Sequence, residues 1–320
     1  MIASFRIFLL VAEEMSISRA AERAYVTQQC VSDHIKRLEK TYRVVLFERR
    51  PKLALTDAGQ IMLNSLRHIN ILENNLEDQL GELSRGTAGN LTIGVNSTRA
   101  GILFPEILPA YREKFPHVVL TFVMDDTRRL EEKLLKGEID MFVGVNAHAN
   151  PKFKAVPMGM DHIYLVVSRT LLARYLPVDE PTIAAMKEGV SLADFEHFPF
   201  VGNDEKCTLN DLVQQHVDKH NIHLKSLYYT SDYDTQISLC ASHLAAAVCP
   251  TMVLQKVLER NLRNGTEEIC AFPLEKRIYN LRIELIYHKD VRQPLYAQSF
   301  TNLLKEAVEH TANTLKRSGY

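Results

Sequence analysis

The stretch from Ser16 to Thr56, SISRAAERAYVTQQCVSDHIKRLEKTYRVVLFERRPKLALT, constrains this chain more than any other segment. Its pattern predicts two short helices across a tight turn, followed by a basic hairpin. Ser18 is placed to cap the first helix through its side-chain oxygen, and Ala20, Ala21 and Ala24 are small enough for close helix packing. A polar break at Val26-Thr27 follows, where Thr27 can cap the next helix. Val31, Ile35 and Leu38 then form an apolar stripe at spacings of four and three. The other face carries Gln28, Gln29, Ser32, Asp33, Lys36 and Arg37. Amides suit base edges in a major groove, and a hydroxyl and cations suit phosphates.

Charge supports a polyanionic partner for this module alone. The whole chain of 320 residues has a net charge of −1, yet Arg19 to Lys52 holds nine cations against four anions. Such local excess is the electrostatic footprint of DNA binding. Hydrophobic content of 46% and charged content of 24% are ordinary for a globular protein. The apolar start Ile7 to Ala12 is too short for a signal peptide and is followed by Glu13-Glu14, and no apolar run approaches the ~20 residues of a membrane span. The five cysteines (Cys30, Cys207, Cys240, Cys249, Cys270) are scattered, odd in number and without a C-x-x-C pair. That usage fits a reducing, cytoplasmic location.

The spaced set Ala20-Ala21, Gln28, Val31-Ser32, Ile35, Leu38-Glu39, Leu46-Phe47, Arg49, Leu55-Thr56 and Ala58-Gly59 resembles the winged helix-turn-helix of the LysR-type transcriptional regulators. The resemblance extends to the length and order of the whole chain. In a winged module the hairpin Phe47 to Leu55, with Arg49, Arg50 and Lys52 at its tip, reaches the phosphate backbone or the adjacent minor groove. Thr56 then caps a long helix from Asp57 to about Ser84, in which Met62, Leu66, Ile69, Leu72, Leu76, Leu80 and Leu83 form an unbroken seam. A lone helix with such a seam must bury it, and a partner chain is the surface at hand. The resemblance implies an antiparallel dimer through this helix and a tetramer of two dimers. It also implies a double-stranded DNA operator and RNA polymerase as partners.

After the polar linker Arg85 to Asn90, strands and helices alternate. Strands are expected at Leu91–Val95, Val118–Met124, Ile139–Val145 and Ile163–Ser168, near Phe200, at Leu227–Thr230 and at Leu281–Tyr287. Helices are expected at Ala100–Phe115, Thr127–Lys136 and Leu295 to about Val308. Strand–helix–strand repetition implies parallel sheet with right-handed crossovers. This repetition gives an α/β fold class, and the resemblance implies its division into a winged helix-turn-helix (1–57), a linker helix (58–86) and a two-lobed effector domain similar to periplasmic binding proteins. Its first lobe is expected at 90–162 and 268–310, its second at 163–267, with the chain returning to the first near Ile269 to Phe272.

Open α/β sheets bind ligands beyond the carboxyl ends of their strands, at helix N-termini that favour anions. The candidate effector residues are Asn96, Ser97 and Thr98 after the first strand, Thr127 beside Asp126 at the second helix start, and Gly202, Asn203 and Tyr233 from the second lobe, near Asp204, Asp232 and Thr235. The expected effector is a small molecule, an anion by default, and no cofactor is implied. Some residues stand apart from the commoner family pattern: Gln29, Cys30 and Asp33 in the second helix, Arg43 where the family has Gly, and Ser242-His243 before Pro250. Operator sequence and effector identity therefore do not transfer.

Three other readings stay open. His216, His220 and His223, at spacings of four and three, could present imidazoles to a metal. Cys207, in a polar segment, could be a redox-sensing thiol, whereas Cys240 and Cys249 fall in apolar stretches and read as inert core. A purely architectural DNA-binding protein would leave more than two hundred residues of α/β structure unexplained. No G-x-S-x-G elbow, P-loop or H-E-x-x-H occurs, so the chain does not read as an enzyme.

Overall fold

A computed structural model describes residues 2–48, 52–85, 88–176, 178–203, 208–230, 232–264, 268–274 and 281–320, without the side chains of 74, 75 and 77–85. Two compact units divide the chain. The first is built mainly from Met1–Gly86, and the second from Thr87–Glu132, Ile139–Lys289 and Gln293–Tyr320.

In the first unit, α1 (Ala3–Glu14), α2 (Ile17–Ala24) and α3 (Gln28–Tyr42) are followed by a two-stranded hairpin, β1 (Phe47–Glu48) and β2 (Ala54–Leu55), and by α4 (Asp57–Arg85). The cap of α2 is Ser16, not Ser18: its side chain accepts from the Arg19 N–H. Starting the helix at Ile17 places Ile17, Ala20, Ala21 and Ala24 on one face, all against the core of Phe8, Val11, Val31, Ile35, Leu38, Leu46 and Phe47. Thr27 caps α3 by accepting from the Cys30 N–H at 3.2 Å. Thr56 caps α4 through the Gly59 N–H at 3.0 Å and donates its own hydroxyl proton to the Val45 carbonyl at 2.7 Å. Gly59 is required there, since a Cβ would lie 2.2 Å from the Leu46 carbonyl oxygen. Met15, Tyr25 and Arg43 end the three short helices in the left-handed region, at φ 46°, 56° and 56°. Arg43 thus keeps the turn that glycine makes more cheaply.

The second unit begins with β3 (Ala88–Val95), α5 (Ser97–Lys114), β4 (His117–Met124), α6 (Thr127–Lys136), β5 (Met141–Val145) and β6 (Phe153–Asp161). It continues with β7 (Ile163–Ser168), α7 (Arg169–Tyr175), α8 (Glu180–Glu188), β8 (Pro199–Gly202), α9 (Thr208–His220), β9 (Lys225–Tyr229), α10 (Tyr233–Ala241), β10 (Ala246–Pro250), α11 (Leu254–Asn264) and β11 (Ile269–Pro273). It closes with β12 (Leu281–His288) and α12 (Leu295–Arg317). Two five-stranded sheets result, ordered β4-β3-β5-β12-β6 and β11-β7-β10-β8-β9. Each sheet defines a lobe with its own apolar core.

The sheets are mixed rather than wholly parallel. β3 runs parallel to β4 and β5, whereas β12 is antiparallel to both β5 and β6. In the second sheet β8 is parallel to β9 and β10, and β7 is antiparallel to β10 and β11. β3, β4 and β5, joined by α5 and α6, run parallel, as do β8, β9 and β10, joined by α9 and α10; β7 and β12, each entered after a passage between lobes, run the other way. A second correction concerns the return of the chain. Ile269 to Pro273 pairs with Ser168 to Tyr164, so β11 belongs to the second lobe, and the first lobe resumes only with β12. α12 also continues past Val308 to Arg317, where Leu315 joins the second-lobe core.

Candidate nucleic-acid interface and ligand cleft

α3 is anchored by Val31, Ile35 and Leu38, which are 0%, 1% and 4% exposed. That anchoring turns Thr27, Gln28, Gln29, Asp33, Lys36 and Arg37 to the surface, with Ser32 partly covered. Not all of these side chains are uncommitted. Gln29 donates from Nε2 to Asp33 Oδ1 at 2.9 Å, one turn on. Arg37 turns back to α1, donating from Nε to the buried Ser4 hydroxyl at 3.1 Å, with Nη2 at 2.6 Å from His34 Nδ1. It therefore ties α3 to α1 as well as presenting charge. Lys52 is exposed on the hairpin, and Arg49 and Arg50 lie outside the described residues.

In the second unit, a cleft of about 260 Å³ opens between the lobes. Asn96, Ser97, Thr98, Thr127 and Tyr233 line it. Asn96 caps α5, its Oδ1 accepting from the Thr98 N–H at 3.0 Å. Thr98 is 2% exposed, and its hydroxyl is buried with no hydrogen-bond partner among the described residues. Thr127 accepts from the Val145 N–H at 3.0 Å. Gly202 and Asn203 do not line this cleft; they border a separate cavity of about 520 Å³ beneath α9. The Asn203 side chain is spent on structure, accepting from Gln236 Nε2 at 2.8 Å, while the same amide donates to the Thr230 carbonyl at 2.7 Å.

Residues missed from sequence complete the cleft: Arg99, Asp125, Arg129, Thr208 and Val253 among them. Arg99 is buried and lies 2.7 Å from Asp161, at the end of β6. Asp161 also accepts from the Met252 N–H, so one buried ion pair links α5 to β6 and holds the turn that follows β10. The sequence shows only that Arg99 follows Ser97-Thr98 at a helix start; its burial, which obliges the charge to find a partner, is seen only in the fold. At the rim, Arg128 of α6 pairs with Asp211 of α9 across the lobes.

The other sequence candidates fare differently. His216 is buried on α9, its ring 4.4 Å from that of His220, and burial followed by the charges of His220 and Lys219 holds its pKa below the usual value. His223 lies beyond the helix, where its backbone N–H donates to Glu196. Burial pushes the Cys240 thiol up to about 12 and raises the Cys249 thiol well above its ordinary value, so both stay protonated. Cys207 lies outside the described residues. No helix of the described residues is long and apolar enough to cross a membrane.

A helix-turn-helix module followed by a two-lobed α/β module with an interlobe cleft is the architecture of a ligand-responsive DNA-binding regulator. The chain belongs to the LysR family of transcription regulators: "Bacterial regulatory helix-turn-helix protein, lysR family" matches residues 2–60, and "LysR substrate binding domain" matches 84–309. It is 27% identical over 283 residues to a "Probable RuBisCO transcriptional regulator" of Cyanidioschyzon merolae, covering 86% of this chain and 89% of that protein. Among solved structures, ArgP from Mycobacterium tuberculosis matches with a TM-score of 0.66 at 19% identity, covering 95% of this chain and 96% of that one. Full-length CbnR complexed with its target DNA matches with a TM-score of 0.57 at 20% identity, covering 95% and 98%.

Proposed function

We propose that two copies of the chain pair through α4 and present two α3 helices to successive major grooves of a palindromic operator. Half-sites would lie about one helical turn, ~34 Å, apart. The carrying observation is the exposed polar face of α3, set rigidly on Val31, Ile35 and Leu38. In this reading Gln28 and Gln29 touch base edges, whereas Ser32, Lys36, Arg49, Arg50 and Lys52 hold phosphates. Thr27 orients the helix start, Asp33 accepts from a cytosine amino group, and Arg37 positions α3 while adding charge. The complex of CbnR with DNA supports the interface by likeness of fold.

A small-molecule effector sits between the lobes, with an anionic group at the α5 start near Asn96, Ser97 and Thr98, and with Thr127 and Tyr233 alongside. By binding one lobe arrangement better than the other it shifts the spacing of the DNA modules, and with it access of RNA polymerase. The working form is a cytoplasmic tetramer of two dimers, and the chain is not an enzyme. Binding titrations over a set of operator variants test the DNA assignment. Gln28→Ala loses discrimination among operators, whereas Arg50→Ala weakens every DNA about equally and flattens the salt slope. Equal loss of discrimination in both variants would sink it.

A further inference from the structure

We infer that the effector of this cleft is a zwitterion, a small molecule with a carboxylate at one end and a protonated amine at the other; this rests on the interlobe reading above. At the α5 start, the unpartnered and buried Thr98 hydroxyl lines the cleft. The N–H groups of the first turn and the helix dipole favour a negative group in the same place.

The rest of the wall disfavours a plain anion. Arg99, the natural counter-ion, is neutralised by Asp161. Arg129, the other cation on the wall, is 3.3 Å from Asp125 and 3.8 Å from Asp126. Against it stand three carboxylates, Asp125, Asp126 and Asp232. Each serves a local hydrogen bond: Asp125 Oδ1 accepts from the Asp126 N–H, Asp126 Oδ1 from the Arg129 N–H, and Asp232 Oδ2 from the N–H and hydroxyl of Thr235. Capping does not remove their charge, so the described wall carries more negative than positive charge. An inorganic anion or a dicarboxylate would meet that excess, whereas an ammonium group would satisfy it.

Size points the same way. About 260 Å³ is below the ~300–1,000 Å³ usual for drug-sized ligands and suits a molecule on the scale of an amino acid. Thr98 belongs to the first lobe and Asp232 to the second. A zwitterion held between them engages both lobes at once, which gives the differential affinity that a switch needs.

The test uses the full-length protein in thermal-shift and calorimetric titrations against the proteinogenic L-amino acids. For each responder it adds the matching amine and the matching carboxylic acid without the amine, with succinate and inorganic phosphate as plain anions. At least one amino acid should raise the melting temperature, and both of its halves should bind about tenfold or more weakly. Thr98→Val and Asp232→Asn should each weaken the responder about 10- to 100-fold; the asparagine keeps the α10 cap and removes only the charge. Failure of every amino acid overturns the zwitterion assignment, as does tighter binding of succinate or phosphate. If such an anion binds and Thr98→Val abolishes it, the interlobe site itself stands. A responder indifferent to both variants overturns the interlobe site as well.

Discussion

At Arg43 a bulky side chain occupies the left-handed backbone region that ends α3, at φ 56°. Its side chain is exposed, so glycine there relieves the backbone at little expense in packing. Arg43→Gly should stabilise the DNA-binding module by about 1 kcal/mol. Thermal unfolding checks this, and a lower melting temperature would contradict it. Asp161 presents the opposite case. Asp161→Ala strips the buried Arg99 of its counter-ion, and the second unit should lose about 3–5 kcal/mol in a denaturant titration. Asp161→Ala combined with Arg99→Met should recover much of the loss, because the unpaired charge is then gone. Residues of this kind were the least legible in the sequence. Thr27 could be read as a cap because a periodic apolar stripe follows it. Ser16 was missed because Ser18 offers the same chemistry two residues on, and only packing of Ile17 decides between them. Asn203 has the composition of a ligand contact, but its partner Gln236 lies 33 residues away, beyond the reach of local pattern.

Among the elements, α4 carries the clearest unsatisfied surface. Leu63 and Leu66 enter the core of the first unit, while Ile69, Leu72 and Leu76 remain 45%, 44% and 55% exposed. These follow the spacing of one helical face, the face proposed above to pair with a second copy. Leu76→Asp should split the tetramer into smaller species in sedimentation velocity without unfolding the first unit, because its own core does not use Leu76. An intact oligomer would refute the α4 seam. This seam was readable from spacing alone, since helical period is a property of the segment itself. Strand membership was not. Ile269 to Phe272 reads as a strand under either assignment, and only its ladder with Tyr164 to Ser168 places it in the second lobe. Likewise, alternation of strands and helices shows that a sheet forms but leaves the direction of a late strand such as β12 undecided.

For the molecule as a whole, an exposed ion pair links the lobes of the second unit, Arg128 of α6 in the first to Asp211 of α9 in the second. The pair Arg128–Asp211 is 49% and 33% exposed, so it is worth about 0–1 kcal/mol and is screened by salt. Arg128→Ala should weaken effector binding a few-fold at most, and the difference should vanish in high salt when titrated by calorimetry. Thiol titration gives an independent check on the cores. Cys240 and Cys249, held protonated by burial, should stay silent to an alkylating reagent near neutral pH until the second unit unfolds. Rapid labelling of either in the native state would show that this core opens easily. The two passages between the sheets also fix the order in which synthesis completes them. Every strand of the second lobe has been made once Pro273 has emerged, whereas the first sheet still lacks β12, which sits between β5 and β6. The lobe begun first is thus finished last, and the flanks of β5 and β6 stay open on the ribosome until about His288 arrives. A stall or truncation between these points leaves unpaired strand edges exposed, making this stretch the window in which the nascent chain is most prone to aggregate.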